Sequence, residues 1–384
     1  METNLFDDIR PYNDSELREA IGRISQWSLI PQILRFIYPE VPVEDSMKQL
    51  RSVQTVKDLQ TTFMYDAICR IIKTTSQGFT CSGFDYIRRD RPCLYISNHR
   101  DITLDAFLLQ KELIDRQRDT SYIVFGNNLM ESPLLRDLFL SNKLVQMERG
   151  GGNPRAFYRS LQHLSQYLHH LIVDKRQSVW IAQKNGRSKD GIDSTAPAII
   201  KMLTLGSEKP ADQALADLNI IPMAISYEWD PCDLLKATEL YKRSLGEYHK
   251  VEGEDTNSVT TGIIAPKGHI HLSIGKPLTA AELSGEQEAG KKDLADSGSA
   301  GVGHHQVVLQ LAQVSLGDGD VIQRAKACSY PVDGAVQVFH FPIQVCPAFD
   351  NGVYGFLRQG EFFVVVQDFF HSLQGEMGVG YTVH

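Results

Sequence analysis

Between about residues 79 and 280, short apolar runs of strand length alternate with longer stretches whose apolar residues recur at helical spacing. That alternation leaves a chain few ways to fold. The runs are CLYIS, YIVFG, KLVQM, VWIAQ, IIPMAIS and HIHLSIG, and the spacing predicts helices over 104–114, 154–174 and 196–205 between them. Strands separated by helices cannot pair as hairpins, so the expected fold is α/β, with a mixed, largely parallel central sheet flanked by helices. Upstream, Leu17, Ile21 and Ile24, then Leu29, Ile33, Leu34 and Ile37, and later Leu59, Phe63, Ile68, Ile71 and Ile72 keep helical period, which predicts a helical N-terminal segment over 1–78. The α/β domain is expected over 79–280 and an unassigned C-terminal tail over 281–384.

The tail differs in composition. Residues 281–384 hold 5 basic and 12 acidic side chains against 34 and 35 before them, so the net charge of −8 belongs to the last quarter. AELSGEQEAGKKDLADSGSAGVGHH reads as a linker, and the residues after it read either as a small β-rich appendage or as a sequence altered by a frame shift. An acidic chain of this kind is a poor partner for nucleic acid. Six scattered cysteines lack any CxxC pair, which points to reduced packing thiols and no zinc site. No apolar run is long enough to cross a bilayer, and the acidic N-terminus lacks the order of a secretory signal, so a cytoplasmic protein is expected, with any membrane contact peripheral. Trp27, Leu29, Ile30, Leu34, Phe36 and Ile37 beside Arg35 form a stripe that suits either an interfacial helix or packing on the domain.

The chemistry concentrates at strand ends. In CLYISNHRDITLDAFLL a strand runs into a polar loop and then a helix, which places His99 at the carboxyl end of a strand, where α/β sheets bind ligands. Asp101 and Asp105 both lie within reach of the imidazole, and a carboxylate on one ring nitrogen leaves the other free as a base. An ordinary helix-capping loop with a solvated histidine would have the same sequence. Asp101 is expected to cap the helix and Asp105, being more rigid, to orient His99. The HRD tripeptide is no kinase loop, because Ala106 stands where the metal-binding Asn would be. His269 and His271 share a strand face without a third ligand nearby and receive no role. A second loop carries Lys184, Asn185, Gly186, Arg187 and Lys189 after VWIAQ, and a third ends a strand at Arg149 before a glycine-rich turn. Either suits an anion or a solvated surface.

Together these residues resemble the glycerol-3-phosphate and lysophosphatidic acid acyltransferase superfamily, in particular a bacterial branch whose first motif reads NHRDI followed by Leu-Asp. The resemblance covers most of residues 5–279. It places the family's His and Asp on His99 and Asp105 with Asn98 ahead, its second block on Arg149, and its third on Asn185, Gly186 and Arg187. An apolar strand with Pro222 and a closing strand with Gly275 and Pro277 complete the match. Two departures stand out: five residues separate His99 from Asp105 where the family usually has four, and Asn185 replaces the usual Glu.

What the resemblance implies is transfer of a fatty acyl group from acyl-CoA or acyl carrier protein to a phosphorylated glycerolipid acceptor at the cytoplasmic face of the membrane, without metal or cofactor. His99, Asp105 and Asp101 would be catalytic, and Asn98, Arg149, Lys184, Asn185, Gly186 and Arg187 would bind substrate. The absence of a GxSxG elbow fits a reaction whose nucleophile is the substrate. A lipid-binding protein without turnover and a thioester or lipid hydrolase are the competing readings.

Overall fold

The computed structural model describes residues 5–284, apart from 131, 151, 152 and 252, together with the backbones of 353–358 and 361–366. Helices α1 (Asp14–Ile24), α2 (Ile30–Ile37), α3 (Val43–Arg51), α4 (Val56–Leu59) and α5 (Tyr65–Thr75) come first. Alternation then begins with β1 (Ser76–Ser82) and β2 (Leu94–Ser97), followed by α6 (Leu104–Asp115), β3 (Tyr122–Gly126), α7 (Pro133–Leu140) and β4 (Leu144–Met147). Next come α8 (Pro154–His169), β5 (Val179–Ala182), α9 (Pro197–Thr204), α10 (Ala211–Asp217), β6 (Ile220–Tyr227), α11 (Asp233–Leu245), α12 (Glu254–Ile264), β7 (Gly268–Ile274) and α13 (Ala280–Ser284).

Seven strands form one sheet in the order β1-β7-β6-β2-β5-β3-β4. Every neighbouring pair is parallel except β6 with β7, so the mixed, largely parallel sheet expected from the sequence is present. β2 lies at its centre and is buried on both faces, which is why its sequence is a continuous apolar run without alternation. The pleat sends Tyr95 to one core with Trp180, Leu108 and Leu109, and sends Leu94 and Ile96 to the other with Leu168, Leu171 and Leu203. The result is three layers, helix, sheet and helix.

The N-terminal helices build a third core around Leu17, Ile24, Leu34 and Phe63, which reaches Leu134 of α7. Arg23 and Tyr12 tie α1 and its approach to the buried carboxylate of Asp137 on α7, at 2.7–2.9 Å. The stripe on α2 is spent in this packing. Leu29, Ile30 and Leu34 are buried, and Phe36 lies under the Arg70 guanidinium, so α2 offers no free interfacial face. Further along, the Gln146 N–H of β4 donates to Ile9 O at 3.0 Å, so the N-terminal segment covers the open edge of β4.

Residues 353–358 and 361–366 form an antiparallel two-stranded hairpin, β8 and β9. Most of the expected linker and the remainder of the tail lie outside the described residues. Its first residues do not behave as a linker, because α13 buries Leu283 in the second core and the Leu278 N–H donates to Ile220 O. Leu283→Ala should therefore destabilise the domain by about 2–3 kcal/mol, the cost of a buried leucine cavity. A denaturant melt unchanged by the substitution would show that α13 is not part of the core.

Candidate functional site

Because β2, β3, β4 and β5 run parallel, the loops at their carboxyl ends emerge at one edge of the sheet. They bring His99, Gly126, Arg149 and the 184–187 loop to the wall of a single cavity of about 880 Å³, counted to its open mouth. Its deeper lining is apolar, with Phe107, Ile123, Leu144 and Trp180, so the cavity joins a cationic rim to a greasy interior.

His99 Nδ1 stands 3.0 Å from Asp105 Oδ2. Asp105 sits in the first turn of α6 and is fully buried, and it accepts from three further donors: the backbone N–H groups of Arg100 (2.6 Å) and Asp101 (3.0 Å), and the Tyr227 hydroxyl (2.9 Å). Burial and the adjacent charge of Asp105 push the Tyr227 phenol well above its ordinary pKa, so it remains a donor. With Nδ1 against a carboxylate, the favoured neutral tautomer carries its proton there and leaves Nε2 as the free base. The imidazole meets the Trp180 ring edge-on, with centroids 6.1 Å apart, and the buried Trp180 Nε1 has no protein partner.

Asp101 does not touch His99. Its Oδ1 accepts from the Thr103 and Leu104 N–H groups at 2.9 and 2.8 Å, which is a cap on α6. Asn98 is likewise not at the cavity: its Nδ2 donates to Asp193 and Ile225 O, both at 3.0 Å, and its Oδ1 accepts from the Ile225 N–H at 2.8 Å. Buried and fully engaged, it is a strut between β2 and β6, so the substrate-binding role expected for it is corrected. Asp193 also holds the Arg100 guanidinium at 2.6 Å, and the Ser188 N–H donates to His99 O at 2.7 Å. The histidine loop and the basic loop are thereby stitched together.

The same cavity holds the cations. Arg149 and Arg187 line the cavity, and Arg149 Nε and Arg187 Nη1 are buried without a protein partner. Burial lowers the Arg149 pKa, and the proximity of Arg187 adds to that, against the opposing charge of Asp255. Two unsatisfied guanidinium edges in one cavity make a candidate anion site. Lys184 lines the same wall while donating to Ile192 O at 3.1 Å, and Asn185 is exposed at the loop tip. Gly186 has φ +78°, the left-handed region that glycine enters without penalty.

Sequence reasoning missed three contributors. A Cβ on Gly126 would sit 2.5 Å from Arg149 Nε, so only glycine lets the guanidinium cross the end of β3. Asp255 of α12 lies in the wall, held by Asn128 and Lys250, and Tyr227 supports Asp105 from β6. The glycine closing YIVFG was a visible signal; Asp255 and Tyr227, far away in sequence, gave none.

Burial first, then the neighbouring Asp105 charge, raises the Asp101 carboxyl above its ordinary 3.8. A carboxyl with a higher pKa folded than unfolded contributes stability at pH below the unfolded value and loses it as pH rises through the folded one. Asp101→Asn retains a capping oxygen and carries no charge. Its stability relative to the parent should therefore improve as the pH is raised from below 3.8 to neutrality. Thermal melts at both pH values would expose the error if the difference stayed constant.

No curated protein matches the chain. Among solved structures, the 1-acyl-sn-glycerophosphate (LPA) acyltransferase PlsC of Thermotoga maritima is similar over 79% of this chain and 97% of its own, at 12% identity and a TM-score of 0.36. Residues 78–226 match the family model described as Acyltransferase. That stretch holds the His99 loop, Arg149 and the 184–187 loop.

Proposed function

We propose that the protein transfers a fatty acyl group from an acyl thioester, carried by coenzyme A or acyl carrier protein, to the hydroxyl of glycerol-3-phosphate or lysophosphatidic acid, as the NHRDI motif suggests. Supporting it is one arrangement: a histidine oriented by a buried carboxylate, in a cavity that also carries two guanidinium edges without partners. His99 Nε2 takes the proton of the acceptor hydroxyl as its oxygen attacks the thioester carbonyl. The tetrahedral intermediate collapses, the carbon–sulfur bond breaks, and the imidazolium returns the proton to the leaving thiolate. Asp105 steadies that imidazolium through Nδ1 and holds the ring in one orientation. Arg149 and Arg187 bind the acceptor phosphate, with Lys184 and Asn185 at the rim, and the apolar interior suits the acyl chain. A hydrolase would need no anion site beside its base, so the paired arginines favour transfer over hydrolysis. The reaction would take place at the cytoplasmic face of a membrane.

His99→Ala should lower kcat by about 10²- to 10⁴-fold, the usual contribution of a general base, while the melting temperature hardly changes. A folded variant with near-normal turnover would remove the mechanism. Asp105→Asn is a less clean test, because Asn would place its own N–H groups among the donors that Asp105 accepts, and stability should fall with activity.

Arg149→Ala and Arg187→Ala should each raise the acceptor KM about tenfold or more, since each removes a charge-assisted bond to a phosphate. Gly126→Ala should repeat the Arg149 effect in weaker form by displacing that guanidinium. Acceptor KM values that stay normal in all three variants would place the phosphate elsewhere.

A further inference from the structure

Helix α11 is built inside out. Its inner face buries two charged residues, Lys236 and Glu239, 3% and 4% exposed. Lys236 donates to Arg100 O at 2.7 Å and pairs with Asp230, and Glu239 pairs with Lys189 at 3.2 Å and Arg243 at 2.8 Å. Its outer face exposes Leu234, Tyr241 and Leu245 by 75%, 57% and 71%. These lie at i, i+7 and i+11, so they form one stripe along the helix. Val251, 61% exposed, lies in the next loop. A helix that spends its interior contacts on ion pairs and leaves its leucines in water has its apolar face turned toward something other than this domain.

Two observations identify the occupant. Past the first turn of α11, the exposed cation beside the stripe is Lys242, while Arg243 is engaged by Glu239 underneath. An apolar stripe of Leu and Tyr with a lysine at its side suits the boundary between acyl chains and anionic headgroups. The second is position. Leu235, Lys236, Thr238, Glu239 and Lys242 of α11 line, with Arg187, a second, open pocket, and Arg187 also stands in the wall of the His99 cavity. The helix that carries the stripe thus shares a pocket wall with the group assigned to the acceptor's phosphate. Among the described residues no helix is long and apolar enough to cross a membrane, so a lipid acceptor must be drawn from a surface.

We infer that α11 is the membrane-docking element, laying Leu234, Tyr241 and Leu245 into an anionic phospholipid surface and setting the Arg187 wall against the headgroup layer. This inference rests on the acyltransferase reading for its choice of lipid as partner. The helix lies beyond the residues that match the family model, 78–226.

The test is sedimentation of the full chain with vesicles of phosphatidylcholine and phosphatidylglycerol, comparing the parent with a Leu234→Ser, Tyr241→Ser, Leu245→Ser triple variant. These side chains are exposed and outside the site, so the fold and the chemistry should persist. The variant should partition about tenfold more weakly or worse. It should lose activity in parallel on long-chain lysophosphatidic acid embedded in vesicles, and retain it on a water-soluble short-chain acceptor. Equal sedimentation of parent and variant, a parent that stays in solution, or a dimer by light scattering that the variant abolishes would each overturn the inference. Stripe-dependent sedimentation without activity on either acceptor would uphold the docking surface while removing the acyltransferase reading.

Discussion

The carboxylate of Asp105 is the knot on which the site depends. A buried carboxylate costs several kcal/mol unless its lone pairs are met. Here they are met by four donors from four places: the His99 ring, the Arg100 and Asp101 backbone, and the Tyr227 hydroxyl. Each bond fixes something different. The backbone bonds curl the loop after β2 into one shape, the ring bond selects a tautomer, and the phenol fastens the start of α6 to β6. Orientation of the base is therefore not an added feature but a by-product of satisfying a buried charge.

At the arginines the opposite strategy applies. Arg149 Nε and Arg187 Nη1 are buried and left without protein partners. Such groups weaken the folded state, and natural proteins keep them where a ligand will complete them. Gly126 shows how closely this is arranged, since the path of Arg149 uses the space that any side chain would fill. Rigidity at the histidine and unmet valence at the arginines meet in one cavity.

How much of this could be read from the sequence depended on whether local pattern or long-range contact set the outcome. The central strands were legible because strands buried on both faces are plain apolar runs, as in CLYIS. The link from His99 to Asp105 was legible because it closes within one loop and one helical turn. β1 was not, since SQGFTCS is a half-exposed strand of small and polar residues beside β7. Asn98 was misread because its partners, Asp193 and Ile225, are about a hundred residues away. For α2 the sequence left packing and an interface open, and its neighbours in the N-terminal core decided between them, while the buried lysine and glutamate of α11 invert the usual pattern and gave no signal.

The bond from Gln146 to Ile9 has a consequence for the integrity of the sheet. β4 is an outermost strand, and such a strand presents a row of free N–H and C=O groups to any other extended chain it meets. The segment before α1 occupies part of that row, with Gln146 Nε2 also donating to Asp8 O at 3.2 Å. These first residues thus act as a selvedge on the sheet. A shortened chain beginning at β1 would retain every residue of the cavity and yet carry an unfinished border, open to self-templating with its own copies.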